Sequence, residues 1–121
     1  MKKIMLLLLA NTFATIAFAE DYSIVCYEVK NDKKGAVYPC VLQRQFNTGY
    51  ESSRYTFNGK TQDVLINGNP EIEETTINDK KGKRYYRDHF FSKVEEENAD
   101  IQYECLQSGQ THFCAQRVGY D

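Results

Sequence analysis

The sequence has no tryptophan, two prolines and two histidines in 121 residues, and these shortages narrow the chemistry open to it. No C-x-x-C pair and no paired-histidine spacing occurs, so its cysteines do not read as zinc ligands. No H-E-x-x-H, P-loop or glycine-rich nucleotide motif is present, and no serine stands in a G-x-S-x-G context. No metal or cofactor is therefore expected. Acid–base chemistry would have to run through His89 or His112. His112 stands alone in a strand-like run. His89 follows Asp88, and adjacent strand residues point to opposite faces, so Asp88 does not orient it. Carboxylates are plentiful, but any pair could be assigned to glycoside hydrolysis, so they select nothing. There is no long basic stripe, which argues against nucleic acid as a partner.

The only long apolar run lies at the start. Met1, Lys2 and Lys3 form a short positive region, Ile4 to Ala10 an apolar core, and Ala17-Phe18-Ala19 an A-x-A site. That order is a cleaved secretory signal peptide of bacterial type, over residues 1–19. The apolar core is too short for a membrane anchor, and no cysteine follows the site to carry a lipid. The remaining 102 residues, Glu20–Asp121, read as one domain. Removing Lys2 and Lys3 from 15 basic residues leaves 13 against 17 acidic ones, a net charge of −4. The expected location is the periplasm or beyond.

All four cysteines, Cys26, Cys40, Cys105 and Cys114, lie after residue 19. In a small exported domain an even count implies disulfides, and four cysteines allow three connectivities. In the segment Ile101–Arg117, a type II′ turn at Gly109-Gln110 sets Cys105 opposite Cys114, with Cα atoms about 4.5 Å apart. That favours Cys105–Cys114 and, by elimination, Cys26–Cys40. If Asn31–Gly35 closes a five-residue loop, Cys26 also falls directly opposite Cys40. Pro39 lacks an N–H, which marks an edge or a bulge there.

The clearest local signal is YESSRYTFNGKTQDVLIN, Tyr50–Asn67. Asn58-Gly59 suits a type I′ hairpin turn, which needs positive φ at both positions. The turn sets Phe57 opposite Lys60, Thr56 opposite Thr61, Tyr55 opposite Gln62 and Arg54 opposite Asp63. Tyr55, Phe57, Val64 and Ile66 then share the core face. Arg54 and Asp63 form a cross-strand pair contributing about 0.2–1 kcal/mol.

Further strand-like runs lie at Tyr22–Lys30, Val37–Phe46, Glu71–Ile77 and Arg84–Phe91. Asn78–Lys83 repeats the polar turn of Asn31–Gly35, and Ser92–Asp100 reads as a loop or one or two helical turns. Seven to eight short strands with turns every 8–14 residues predict an all-β antiparallel domain, a small barrel or else a sandwich, stapled by disulfides.

Function falls to the surface. In RYYRDHFF, Tyr85, Arg87, His89 and Phe91 share one face, and Arg84, Tyr86, Asp88 and Phe90 the other. Aromatic residues beside arginine are enriched at interface hot spots, so Arg84, Tyr85, Tyr86, Arg87 and His89 are the candidate binding residues. The expected role is a non-enzymatic binding module whose partner is another protein, a basic one given the net charge. An inhibitor or immunity-type protein acting on an envelope or host enzyme such as lysozyme fits. Bacterial inhibitors of C-type lysozyme are small β-barrels too, but their motif does not map onto these residues, so the comparison is one of architecture. The alternatives are a small secreted hydrolase using His89 or His112, and a structural or adhesive envelope subunit.

Overall fold

The computed structural model describes residues 20–69 and 72–118; the expected signal peptide over residues 1–19 lies outside them. The chain forms β1 (Glu20–Lys30), β2 (Lys33–Asn47), β3 (Tyr50–Phe57), β4 (Lys60–Asn69), β5 (Ile72–Ile77), β6 (Lys80–Asp88), β7 (Lys93–Val94), β8 (Ile101–Ser108) and β9 (Thr111–Gln116). Among the described residues there is no helix, and so none long and apolar enough to cross a membrane. The strands pair in the order β5-β4-β3-β2-β1-β9-β8-β6, and β6 returns to β5. The result is a closed eight-stranded antiparallel barrel with β7 as an extra strand, so of the two architectures expected the barrel is the one formed. Closure removes most of the edges that an open sheet would leave to pair with other chains.

The hairpins around Asn-Gly and Gly-Gln take the expected register. Arg54 pairs with Asp63 and Phe57 with Lys60, across a turn with φ of 52° at Asn58 and 71° at Gly59. Arg54 Nε donates to Asp63 Oδ1 at 2.7 Å, with both side chains more than half exposed. Cys105 lies directly opposite Cys114 at a Cα separation of 4.0 Å and is bonded to it, and Gly109 has the positive φ that a type II′ turn requires at its first central position.

Two expectations are corrected. The polar turns at Asn31–Gly35 and Asn78–Lys83 shrink to two residues each. Asn31-Asp32 and Asn78-Asp79 all have φ between 50° and 68°, the type I′ conformation that matches the twist of the strands. The Lys-Lys-Gly that follows each turn belongs to the next strand. Strand β6 therefore starts at Lys80 and ends at Asp88, earlier at both ends than the Arg84–Phe91 run. The shorter first turn also moves the register, and Glu28 faces both Gly35 and Ala36 in a β-bulge. Cys26 then lies opposite Tyr38 and not opposite Cys40. The disulfide joins them on the diagonal, at a Cα separation of 5.6 Å. Pro39 faces Val25 in the β1 ladder, while β3 pairing starts only at Val41, so β2 has a free side where proline is tolerated.

The second correction is to part of Ser92–Asp100. Of its two readings the loop is the one formed, with no helical turn, but Lys93–Val94 within it form β7, which pairs with Tyr86 and Arg87 of β6. One edge of β6 thus carries β5 along Lys80–Gly82 and β7 further down. Gly82 sits where the walls crowd, and a Cβ there would come within 2.6 Å of the Gln107 carbonyl oxygen.

The main core fills the barrel. Leu42, Tyr55, Phe57, Val64, Ile66, Ile77, Leu106, Phe113 and the Cys26–Cys40 bridge are buried in it. Tyr55 and Phe57 both pack on Phe113, with centroids 5.2 Å apart. A second, smaller core lies on the outer wall around Val29 and the Cys105–Cys114 bridge.

Candidate binding surface

Alternation along β6 sends the candidate residues to opposite sides of the wall. Arg84 and Tyr86 lie on the inward side, opposite Leu106 and Glu104 of β8. There they adjoin a polar network that occupies the interior next to the apolar core, with Arg44 at its centre. Arg44 is 4% exposed. Its Nε lies 3.2 Å from both Ser53 Oγ and Glu51 Oε2. Its Nη2 donates to Tyr55 Oη and Glu104 Oε1, each at 3.1 Å. Arg84 Nη1 reaches the other Glu104 oxygen at 3.4 Å.

Burial pushes the Tyr55 phenol far up, reinforced by the Glu104 charge, so it stays protonated. Burial also raises the Glu51 carboxyl above its ordinary 4.5, against the pull of Arg44. A carboxyl raised on folding holds its proton more tightly in the native state. Its contribution to stability is therefore greatest below the unfolded value and is lost as pH rises through the folded one. Glu51→Gln is expected to remove that loss, so the variant gains on the parent between about pH 4 and pH 7. Denaturation midpoints across that range check it, and a constant difference between the two proteins would refute it.

Tyr85 and Arg87 lie on the outward side, where β7, the 89–92 turn and the Asn31-Asp32 turn cover them. Arg87 is 1% exposed although it is outside the barrel. It is held by Asp32 at 2.6 Å, by the Phe91 carbonyl at 2.8 Å and by Tyr85 Oη at 2.8 Å. Its guanidinium stacks 4.4 Å from the Phe91 ring and 5.1 Å from Tyr85, a cation–π arrangement. Tyr85 Oη in turn meets His112 Nε2 at 2.5 Å. Burial lowers the His112 pKa, and the nearby Arg87 and Lys93 charges lower it further, so His112 is neutral at pH 7. Hydrogen bonding to Arg87 lowers the Asp32 carboxyl. Next along the wall, Tyr103 meets Tyr27 and Phe91 edge-on at 5.5 and 5.3 Å, with the Lys34 ammonium above all three rings.

His89 belongs to neither set. It starts the connection between β6 and β8, stacks on Phe90 with centroids 3.9 Å apart and hydrogen-bonds Asp100. The connection opens with a tight turn. Asp88 Oδ1 accepts from the N–H groups of Phe90 and Ser92 at 2.9 and 3.0 Å, and its backbone N–H donates to the Ser92 carbonyl at 2.9 Å. Phe91 has φ of 65°, which costs a bulky residue about 1–3 kcal/mol. Its packing on Arg87 and Tyr103 offsets that cost.

The structure thus brings Tyr85 and Arg87 together, turns Arg84 and Tyr86 inward, and places His89 at the rim. Sequence reading passed over Asp32, Tyr103 and Lys34, which meet Arg87 or its neighbours only in three dimensions. It also passed over Arg44, although Arg44 alternates with Leu42 and Phe46 on what reads as a core face. Among the described residues no cluster of metal-ligating side chains is present. Comparison with protein-family models, curated proteins and solved structures finds no match.

Proposed function

We propose that the protein is an exported, non-enzymatic binding module that holds another protein, a basic one, against its outer surface. The observation that carries this reading is that the barrel interior is occupied by the protein's own side chains, Tyr55, Leu42, Leu106 and Phe113 at one level and the Arg44–Glu104 network at another. Recognition then falls to the outer wall, where the connection after β6 presents His89, Phe90, Glu95, Glu96 and Glu97, backed by the covered Tyr85 and Arg87 of β6. An inhibitor or immunity-type role toward an envelope or host enzyme such as lysozyme suits this surface. The net charge of −4 after residue 19 favours fast association with a basic target. Two buried disulfides fit an oxidising compartment, and the Met1–Ala19 pattern supports delivery to the periplasm or outside the cell.

The test uses the full chain expressed in an exporting bacterial host and recovered oxidised. Titration into a C-type lysozyme is expected to give a one-to-one complex that weakens with salt and to stop cell-wall lysis. Failure to bind lysozyme or any protein from envelope extract or host fluid would end the reading. Hydrolytic activity lost on replacing His89 and His112 would assign an enzyme, and polymers on size exclusion an envelope subunit.

A further inference from the structure

The geometry points to Phe90 as an anchor that enters an apolar pocket on the partner, the rim of that pocket being basic. This inference rests on the binding-module reading and names the contact within it. Among the large apolar side chains described as exposed, Phe90 is the most so, at 76%; the next is Phe46 at 60%. Its exposure is imposed by the turn. The two Asp88 Oδ1 hydrogen bonds and the positive φ of Phe91 send consecutive phenylalanines in opposite directions. Phe91 goes into the wall beside Arg87 and Tyr103, and Phe90 goes to solvent. The His89 ring backs Phe90 and is itself held by Asp100, so the aromatic tip is ordered before any partner arrives. Pre-ordering reduces the entropy lost on binding.

The chemistry of the partner follows from the rest of the connection. Glu95, Glu96 and Glu97 are all exposed on it, and a basic rim around the receiving pocket complements them. The same charges disfavour an anionic bilayer, the other surface an exposed phenylalanine could enter.

The experiment places a photo-crosslinking benzophenone side chain at Phe90 and, separately, at Thr61, an exposed position on β4. Each oxidised full chain is irradiated with lysozyme, envelope extract and host fluid. A basic protein captured from position 90 is then purified and titrated with the unlabelled chain and with Phe90→Ala. The expected result is a loss of affinity of about 30-fold or more on Phe90→Ala, and slower association when Glu95, Glu96 and Glu97 become glutamine. Capture from position 61 alone overturns the anchor and leaves the binding-module reading standing. Capture from neither position ends both. A partner from position 90 that is acidic, or that binds Phe90→Ala equally well, overturns the inference. So does Phe90-dependent binding to vesicles containing anionic lipid.

Discussion

Reduction of both disulfides is expected to leave the chain without a cooperative folded state at room temperature. The bridges span sequence separations of 14 and 9 residues. Loop-closure entropy puts their contributions at about 3 and about 2.6 kcal/mol. Their sum, roughly 5–6 kcal/mol, matches the lower end of the stability of a domain of this size, about 5–15 kcal/mol. All four sulfurs sit in packed surroundings, since Cys26, Cys105 and Cys114 are 0% exposed and Cys40 is 3%. The two bridges serve different cores. Cys26–Cys40 lies inside the barrel, and Cys105–Cys114 supports the outer cluster beside Tyr85 and Tyr103. Urea denaturation of the oxidised protein, the reduced protein and the two paired Cys→Ala variants separates them. Each paired variant is expected to lose about 2–4 kcal/mol. A reduced protein with an unchanged midpoint would show that packing alone holds the barrel.

Arg44→Met is expected to cost about 3–5 kcal/mol at neutral pH, because it leaves buried charge without its partner. In the parent, one guanidinium meets Glu51 through Nε and Glu104 through Nη2. Without it two carboxylates share the barrel interior, with Arg84 3.4 Å from Glu104. Methionine supplies comparable length but no charge, so the effect is electrostatic more than volumetric. The sign with pH follows. Burial already raises the Glu51 carboxyl and Arg44 opposes that rise, so without Arg44 the variant recovers stability as pH falls and Glu51 takes up its proton. Replacing Glu51 and Glu104 by glutamine as well is expected to restore much of the loss at pH 7. Denaturation at pH 7 and near pH 5 measures both effects, and a small, pH-independent cost would remove the network from the account of stability.

How far the sequence could be read depended on the range of the information. The Asn58-Gly59 and Gly109-Gln110 hairpins were legible to the residue, because a two-residue turn fixes every pair that follows it. Both Asn-Asp turns were legible as turns but were read too long. Lysines after a turn look like loop, whereas here they begin β2 and β6. That error moved Cys26 by two pairs relative to Cys40, which faces Ile24, while leaving the connectivity intact, since a diagonal disulfide reaches across. The candidate surface was only half legible. RYYRDHFF announced itself by composition, but Arg87 meets Asp32 across 55 positions of chain and Arg44 meets Glu104 across 60. No local pattern encodes those meetings. The habit of placing arginine in solvent hid both.

The order of the strands also bears on how the protein folds. From β1 through β6 each strand pairs with the next one in the chain, and β8 with β9 is another hairpin. Those ladders can zip up from local turns. Two ladders are not hairpins: β6 with β8, which skips only β7, and β1 with β9, which closes the ring through Cys26–Ala115, Tyr27–Cys114 and Glu28–Phe113. The β1–β9 ladder joins the two ends of the domain and bears the largest loop-closure entropy, although that cost grows only slowly with loop length. Ring closure is therefore the expected late event, and its loss an early one on unfolding. The amides of Tyr27 and Cys114 would then report ring opening in hydrogen exchange, while the β3–β4 hairpin still protects its own.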